Sequence, residues 1–311
     1  MHQFKKILVW VNTKSMQHHA LMRAAKLAKL SGAVVKAIDV VKPPPAWHPS
    51  IAAPPWLLPT AIAKEKSRRL EKLVAPLRMK GIRVETEVFH GSGPIEAIRE
   101  VLRKRHDLLM RTAEKEGLSR LFGASDMRLL RKCPCPVWLV KPTPVRRDSR
   151  ILAAVDIEGS EPERRAVDEK IMGLATMLAR VEGGELHVIH AWRAFGESVL
   201  KGYSGVPSDE VKQYLKEARA AARQKFAEFI SKYEEDVTPD RAHLVKGHPA
   251  RVIAKFAKQH RIDLIVMGTL ARAGVAGVLI GNTAENVVGL IDCSLLAIKT
   301  DSFVSPVKIE G

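Results

Sequence analysis

Residues Lys6 to Val11 (KILVWV) and Arg150 to Val155 (RILAAV) are short apolar runs of strand length, and each opens the same succession of elements. After the first, Met16 to Leu30 carries apolar residues at helical spacing and closes at Ser31-Gly32; after the second, Glu163 to Val181 does the same and closes at Gly183-Gly184. Ala33 to Val41 then answers to Leu186 to Trp192, the turn at Gly91 to Gly247-His248-Pro249, and Asp107-Leu108-Leu109-Met110 to Asp263-Leu264-Ile265-Val266. A strand, a helix and a strand joined by a crossover of this length make a parallel βαβ unit. The repeat therefore predicts an α/β chain of two domains with one architecture, residues 1–143 and 148–304, joined by the Pro/Arg-rich stretch from Pro142 to Asp148. A length of 311 residues suits two domains of ordinary size.

Two stretches break the symmetry. Residues 42–60 (KPPPAWHPSIAAPPWLLPT) hold prolines that forbid a regular helix or central strand, and Trp47 and Trp56 make the stretch too apolar for a plain solvated linker. It reads as a loop packed by its own tryptophans, or as a lid or docking surface for an apolar ligand or partner. Arg193 to Pro207 stands in its place in the second half, ahead of a long helix from Ser208 to Tyr233.

The most informative loop runs from Ile262 to Lys299. A strand, Ile262 to Met267, ends at Gly268; glycines recur at Gly274, Gly277 and Gly281; Asn282, Thr283 and Glu285 form the capped first turn of a helix reaching about Leu290; and Cys293 to Ile298 is a second strand. A glycine-rich loop between a strand tip and a helix N-terminus can aim backbone N–H groups at an anion, or can merely turn the chain. The stretch resembles the C-terminal signature of the universal stress protein family, G-x2-G-x9-G-[S/T]. Gly268 and Gly281 match it, while Ala271 and Asn282 depart from it at the second and last positions. With NTAE at Asn282 to Glu285 and LLRKCPCPVW at Leu129 to Trp138, the whole chain is similar to the tandem, E-type members of that family. The resemblance implies two Rossmann-like (adenine nucleotide alpha hydrolase-like) domains, each a five-stranded parallel sheet flanked by helices, with ligands at the carboxyl ends of the strands. It implies as ligand ATP or another adenine nucleotide, with Mg as its companion ion. In the second half Asp156 and the backbone near Ala191 would face base and ribose; Thr269, Arg272 and Gly274 join Gly268, Ala271, Gly281, Asn282 and Thr283 around the phosphates.

In the first half the signature positions read Arg111, Glu114, Gly123 and Ala124, and Asn12 stands where Asp156 stands in the second. A carboxylate at Glu114 would oppose a triphosphate, so this half is expected to serve packing and regulation. The family's pairing habits imply an intrachain pseudo-dimer, with a homodimer of tandem chains as a further option and protein partners unnamed.

Other function classes find less in the sequence. The net charge of +17 would attract nucleic acid or anionic surfaces, but the basic residues are spread, aromatics are 5%, and no nucleic-acid motif accompanies them. Neither a Walker A loop, a G-x-S-x-G elbow nor an H-E-x-x-H helix is present, which points away from catalysis and leaves slow ATP hydrolysis as the most to expect. Cys133 and Cys135 are spaced C-x-C with no histidine close by, so small buried residues are a plainer reading than a metal or redox pair. His187 and His190 alternate to opposite faces of one strand and cannot share a site. Three cysteines, strand-length apolar runs and the absence of a leader before Lys6 predict a cytoplasmic protein without metal.

Overall fold

The computed structural model describes residues 4–43, 57–113, 121–143, 148–159, 161–202, 206–269 and 281–309. The described residues form two compact units. One takes those of Met1–Arg146, Thr269–Asn282 and Asp292–Gly311, and the other those of Arg147–Gly268 and Thr283–Ile291.

In the first unit, β1 (Lys6–Trp10), α1 (His19–Ser31), β2 (Val34–Val41), α2 (Leu57–Met79), β3 (Val84–His90), α3 (Gly93–Lys104), β4 (Leu108–Thr112), α4 (Ala124–Lys132) and β5 (Val137–Val140) follow in order. Five strands lie parallel in the order β3-β2-β1-β4-β5. Ile7, Leu8, Val9, Leu108, Leu109, Met110 and Trp138 are fully or almost fully buried, as expected for strands covered on both faces. The chain leaves β1 towards β2 and β3, then returns to β4 on its other side. That reversal opens a crevice at the carboxyl ends of β1 and β4.

The second unit repeats the plan with β6 (Arg150–Val155), α5 (Pro162–Glu182), β7 (Glu185–Trp192), α6 (Glu197–Gly202), α7 (Ser208–Ile230), β8 (Ala242–Lys246), α8 (Pro249–Gln259), β9 (Leu264–Gly268) and α9 (Asn282–Leu290, from its second residue). Here β6 lies parallel between β7 and β9, and β8 pairs with the far side of β7. The last strand, β10 (Ser294–Ile298), belongs to the first unit, where it runs antiparallel along β5 with Leu295 opposite Leu139.

Strand register sharpens the comparison of the halves. Asp107 anchors β1 by accepting the Lys5 and Lys6 N–H groups at 2.6 and 3.1 Å, and Asp263 accepts that of Arg150 at 2.9 Å. Counting from these anchors, Trp10 pairs with Ile38 and Arg111, and Ala154 with Ile189 and Met267. Asp39 therefore corresponds to His190, Val40 to Ala191 and Thr112 to Gly268. The sequence match of Arg111 with Gly268 is one residue out, because the unequal loops beyond the strands hide the register.

Two further expectations change. The helix of the proline-rich stretch begins at Leu57, since Pro59 falls within the first turn, where a missing N–H costs nothing. The stretch from Arg193 to Pro207, which stands where the proline-rich insert lies in the first half, contains α6. No helix among the described residues is long and apolar enough to cross a membrane.

Both units also retain one backbone compromise. Arg105, capping α3, and Arg261, just past α8, sit at φ values of 53° and 52°. Left-handed backbone disfavours a side chain by about 1 kcal/mol. Arg105→Gly and Arg261→Gly are each expected to raise unfolding free energy by roughly 0.5–1 kcal/mol, read by urea denaturation, whereas alanine at either position should not.

Candidate ligand site

At the carboxyl ends of β1, β2 and β4, the first unit encloses a cavity of about 690 Å³. Its walls are apolar where the strands end (Val9, Val11, Val40, Val41) and where Leu21 and Ile62 come down from the helices. Trp10 lies along it with the Arg111 guanidinium 3.8 Å from its ring centre. Gly93 is what makes room for that ring, since a Cβ there would lie 2.1 Å from Trp10 Cζ2.

The charges on the floor of this cavity are paired. Asp39, 3% exposed, accepts the Thr13 hydroxyl at 2.6 Å, the Thr13 and Val40 N–H groups at 3.0 and 2.7 Å, and Lys66 Nζ at 2.7 Å. Asp126, three residues into α4, accepts the Gly123 N–H at 3.0 Å and lies 3.2 Å from Arg111 Nε. A carboxylate of the protein thus sits at the helix N-terminus that an external anion would need. Asn12 closes its own turn by accepting the Lys14 N–H at 3.0 Å. Lys14 and Lys42 stand at the rim, and burial together with His19 lowers the affinity of the His18 ring for a proton. The result is a paired-charge floor with apolar walls beneath a basic rim. Sequence reasoning missed Asp39, Lys66 and Asp126. The signals were present: an aspartate inside the apolar strand VVKAIDVV, and an acid three residues past a helix-starting glycine.

In the second unit, Asp156 follows β6 with its carboxyl 63% exposed and 3.6 Å from Arg164 Nη1. Ala191 is half-buried on β7, next to buried His190, whose Nδ1 is 3.1 Å from the Val155 carbonyl oxygen. Gly268 ends β9 against α5, where a Cβ would come within 2.9 Å of Val167. That contact explains the glycine by packing alone. Thr283 lies in the first turn of α9.

The remaining members of the predicted set fall in the first unit or outside the described residues. Thr269 donates its N–H and hydroxyl to the Ile298 carbonyl at 2.9 and 3.2 Å, and Gly281 donates to the Thr269 carbonyl at 3.4 Å. Residues 269 and 281 therefore meet at the neck of the glycine-rich loop, and Asn282 follows at the start of α9. Ala271, Arg272 and Gly274 lie outside the described residues, as do Glu114, Trp47 and Trp56.

The two strand histidines face opposite ways, as alternation requires. His187 contacts His243, Phe256 and His260 beside α8, and His190 stacks with Phe226 of α7. Among the described residues, no group of three His, Cys, Asp or Glu side chains is placed to hold a metal ion.

Two units built on mostly parallel α/β sheets, with space at the carboxyl edge of the first, define the class as tandem α/β proteins. The model described as the universal stress protein family matches residues 3–141 and 149–299, and the chain belongs to that family. It is 32% identical over 238 residues to universal stress protein E of Escherichia coli K12, covering 74% of this chain and 72% of that protein. It is 26% identical over 325 aligned positions to universal stress protein E of Photorhabdus laumondii, covering 99% of each. Among solved structures, a putative universal stress protein from Pseudomonas aeruginosa UCBPP-PA14 shares the fold with a TM-score of 0.74 at 25% identity, over 96% of this chain and 94% of that one.

Beneath Asp156 lies a buried carboxyl with a measurable consequence. Asp168 on α5 is 5% exposed and accepts the Asp156 N–H at 3.0 Å. Burial lifts its pKa to about 7, the Asp156 hydrogen bond opposes the rise, and the neighbouring Asp156 charge adds to it. The folded state therefore holds a proton that the unfolded chain releases near pH 3.8. The stability linked to this proton is full below that pH and is lost as pH rises to about 7. Asp168→Asn, which keeps the accepting oxygen, is expected to raise stability at pH 8 by on the order of 2 kcal/mol and to flatten its fall between pH 4 and 7, read by denaturant titration across pH.

Proposed function

We propose that this stress-response protein is a ligand sensor whose C-terminal repeat binds an adenine nucleotide and whose bound state is read by protein partners. The observation that carries this reading is the contrast between the two helix starts. In the N-terminal repeat, Asp126 fills the anion position of α4. Three residues past Gly281, the counterpart is the buried methyl of Ala284, which leaves no carboxylate there. Glu285 follows one residue later in the first turn of α9, and at the end of β6 stands Asp156, whose mostly exposed carboxylate can accept hydrogen bonds from ribose hydroxyls.

In this reading the adenine borders the backbone at Ala191. The phosphates lie against the loop running from Gly268 through Thr269, Ala271, Arg272 and Gly274 to Gly281, Asn282 and Thr283, with Mg accompanying a triphosphate. The hydrogen bond from Gly281 to Thr269 supports it by fixing the loop's two ends. A second reading rests on the cavity of the first unit. Its paired-charge floor and apolar walls favour an uncharged or amphipathic ligand lying against Trp10.

Isothermal titration with ATP separates the two. Asp156→Ala, at an exposed side chain, is expected to weaken binding at least tenfold, about 1.4 kcal/mol, and Gly281→Val to abolish it with an unchanged circular dichroism spectrum. Lys14→Ala, at the rim of the N-terminal cavity, should leave the affinity as it was. The opposite ranking, with Lys14→Ala damaging and Asp156→Ala silent, would reject the C-terminal site.

A further inference from the structure

The turn between α4 and β5 has the sequence Cys133-Pro134-Cys135-Pro136. Two prolines fix φ at alternate positions, so the bend is stiff before any side chain is placed. Within it the two sulfurs stand 3.6 Å apart, both as free thiols. Cys133 is fully buried and Cys135 half-buried, so only Cys135 is open to a small molecule.

A lysine is anchored on the turn of α4 that leads into this pair. Lys299, directly after β10, donates from Nζ to the Arg131 carbonyl at 2.9 Å and lies 3.5 Å from the centre of the Phe303 ring. Ser305 takes the next carbonyl, that of Lys132, at 2.7 Å. The chain end thus clasps the C-terminal turn of α4, tying the amine to the carbonyl two residues before Cys133, where it feels the charge of both sulfurs. Burial lowers the Lys299 amine to about 8, against an opposing pull from the two sulfurs. Burial also raises the Cys135 thiol, as do Cys133 and the Asp107 charge. At rest the Cys135 thiol is protonated and unreactive.

We propose that Cys133 and Cys135 are a reversible redox site for low-molecular-weight disulfides, with Lys299 as the base that accepts the Cys135 proton. The Cys135 thiolate attacks one sulfur of the external disulfide. The external S–S bond breaks, a Cys135–S–S–R bond forms, and the first thiol leaves with the proton from Lys299. Cys133 then attacks the Cys135 sulfur, closing the intramolecular bond and releasing the second thiol with the Cys133 proton. Two protein thiols are oxidised and one external disulfide is reduced. Closure shortens the sulfur separation from 3.6 Å to about 2.0 Å and tightens the turn that leads into β5.

The test uses the full chain with oxidised glutathione, trapping by acid and alkylation, and peptide mapping by mass spectrometry. The expected product is a Cys133–Cys135 disulfide, two hydrogens lighter, formed without denaturant and reversed by dithiothreitol, with Cys293 still reduced. Cys135→Ser should abolish it without loss of fold. In the native chain the rate should climb through pH 8, and Lys299→Met should remove that step. A disulfide that forms only in denaturant, a glutathione adduct that never closes, or prior modification of Cys293 would overturn the site. A native pH–rate profile in a folded Lys299→Met variant would overturn the role of the lysine.

Discussion

A parallel strand covered on both faces has no solvent side, so each polar side chain it carries must arrive with a partner or stand at the strand's end. That constraint organises this protein. Lys36, inside β2, is held between Glu100 at 2.7 Å and Glu87 at 2.6 Å. Asp39, near the end of the same strand, takes two backbone N–H groups, a hydroxyl and an ammonium. His190 rests on a backbone carbonyl, and off the strands the same rule reaches Asp168 on α5, whose burial lifts its carboxyl to about 7. Charge can gather at the carboxyl edge, where strands end and loops bring it in.

The two repeats use that edge in opposite ways. In the first unit the edge has been filled from within: Arg111 with Asp126 and Lys66 with Asp39 form a closed set, and Trp10 covers the floor because Gly93 lets it. In the second, His190 replaces Asp39 and Ala284 replaces Asp126, so neither acid of the first floor persists, and the exposed Asp156 is what remains. Duplication conserved the scaffold down to an awkward arginine turn, while the few side chains at strand ends diverged. A family resemblance therefore settles architecture for both halves and leaves ligand chemistry to be decided half by half.

Much of this was legible in the sequence. The order of strands and helices followed from apolar runs and their closing glycines, and α9 was anticipated from Asn282 to about Leu290, where it lies. What could not be read was whatever depends on two distant segments meeting. The antiparallel pairing of β10 with β5 leaves no local pattern, since both are simply apolar. The pairing of Lys66 with Asp39 joins a helix and a strand whose separation carries no periodicity. The role of Gly268 was read as a loop requirement, while the structure gives it a packing reason against Val167. Cys133 and Cys135 look unremarkable in the sequence, which shows neither their 3.6 Å sulfur separation nor Lys299, far along the chain, tied to the Arg131 carbonyl just before them.

The position of β10 has a consequence for how the protein is made. Strand β5 is complete when fewer than half the residues have been synthesised, yet its antiparallel neighbour and the tail that ties Arg131, Lys132 and Arg99 down come last. With translation proceeding at roughly 5–20 residues per second, the flank of β5 stays bare for on the order of ten seconds or longer. An apolar strand edge exposed on a ribosome-bound chain is a target for chaperones and for wrong pairing. The N-terminal unit therefore begins folding first but gains its β10 flank only after the second repeat has been made.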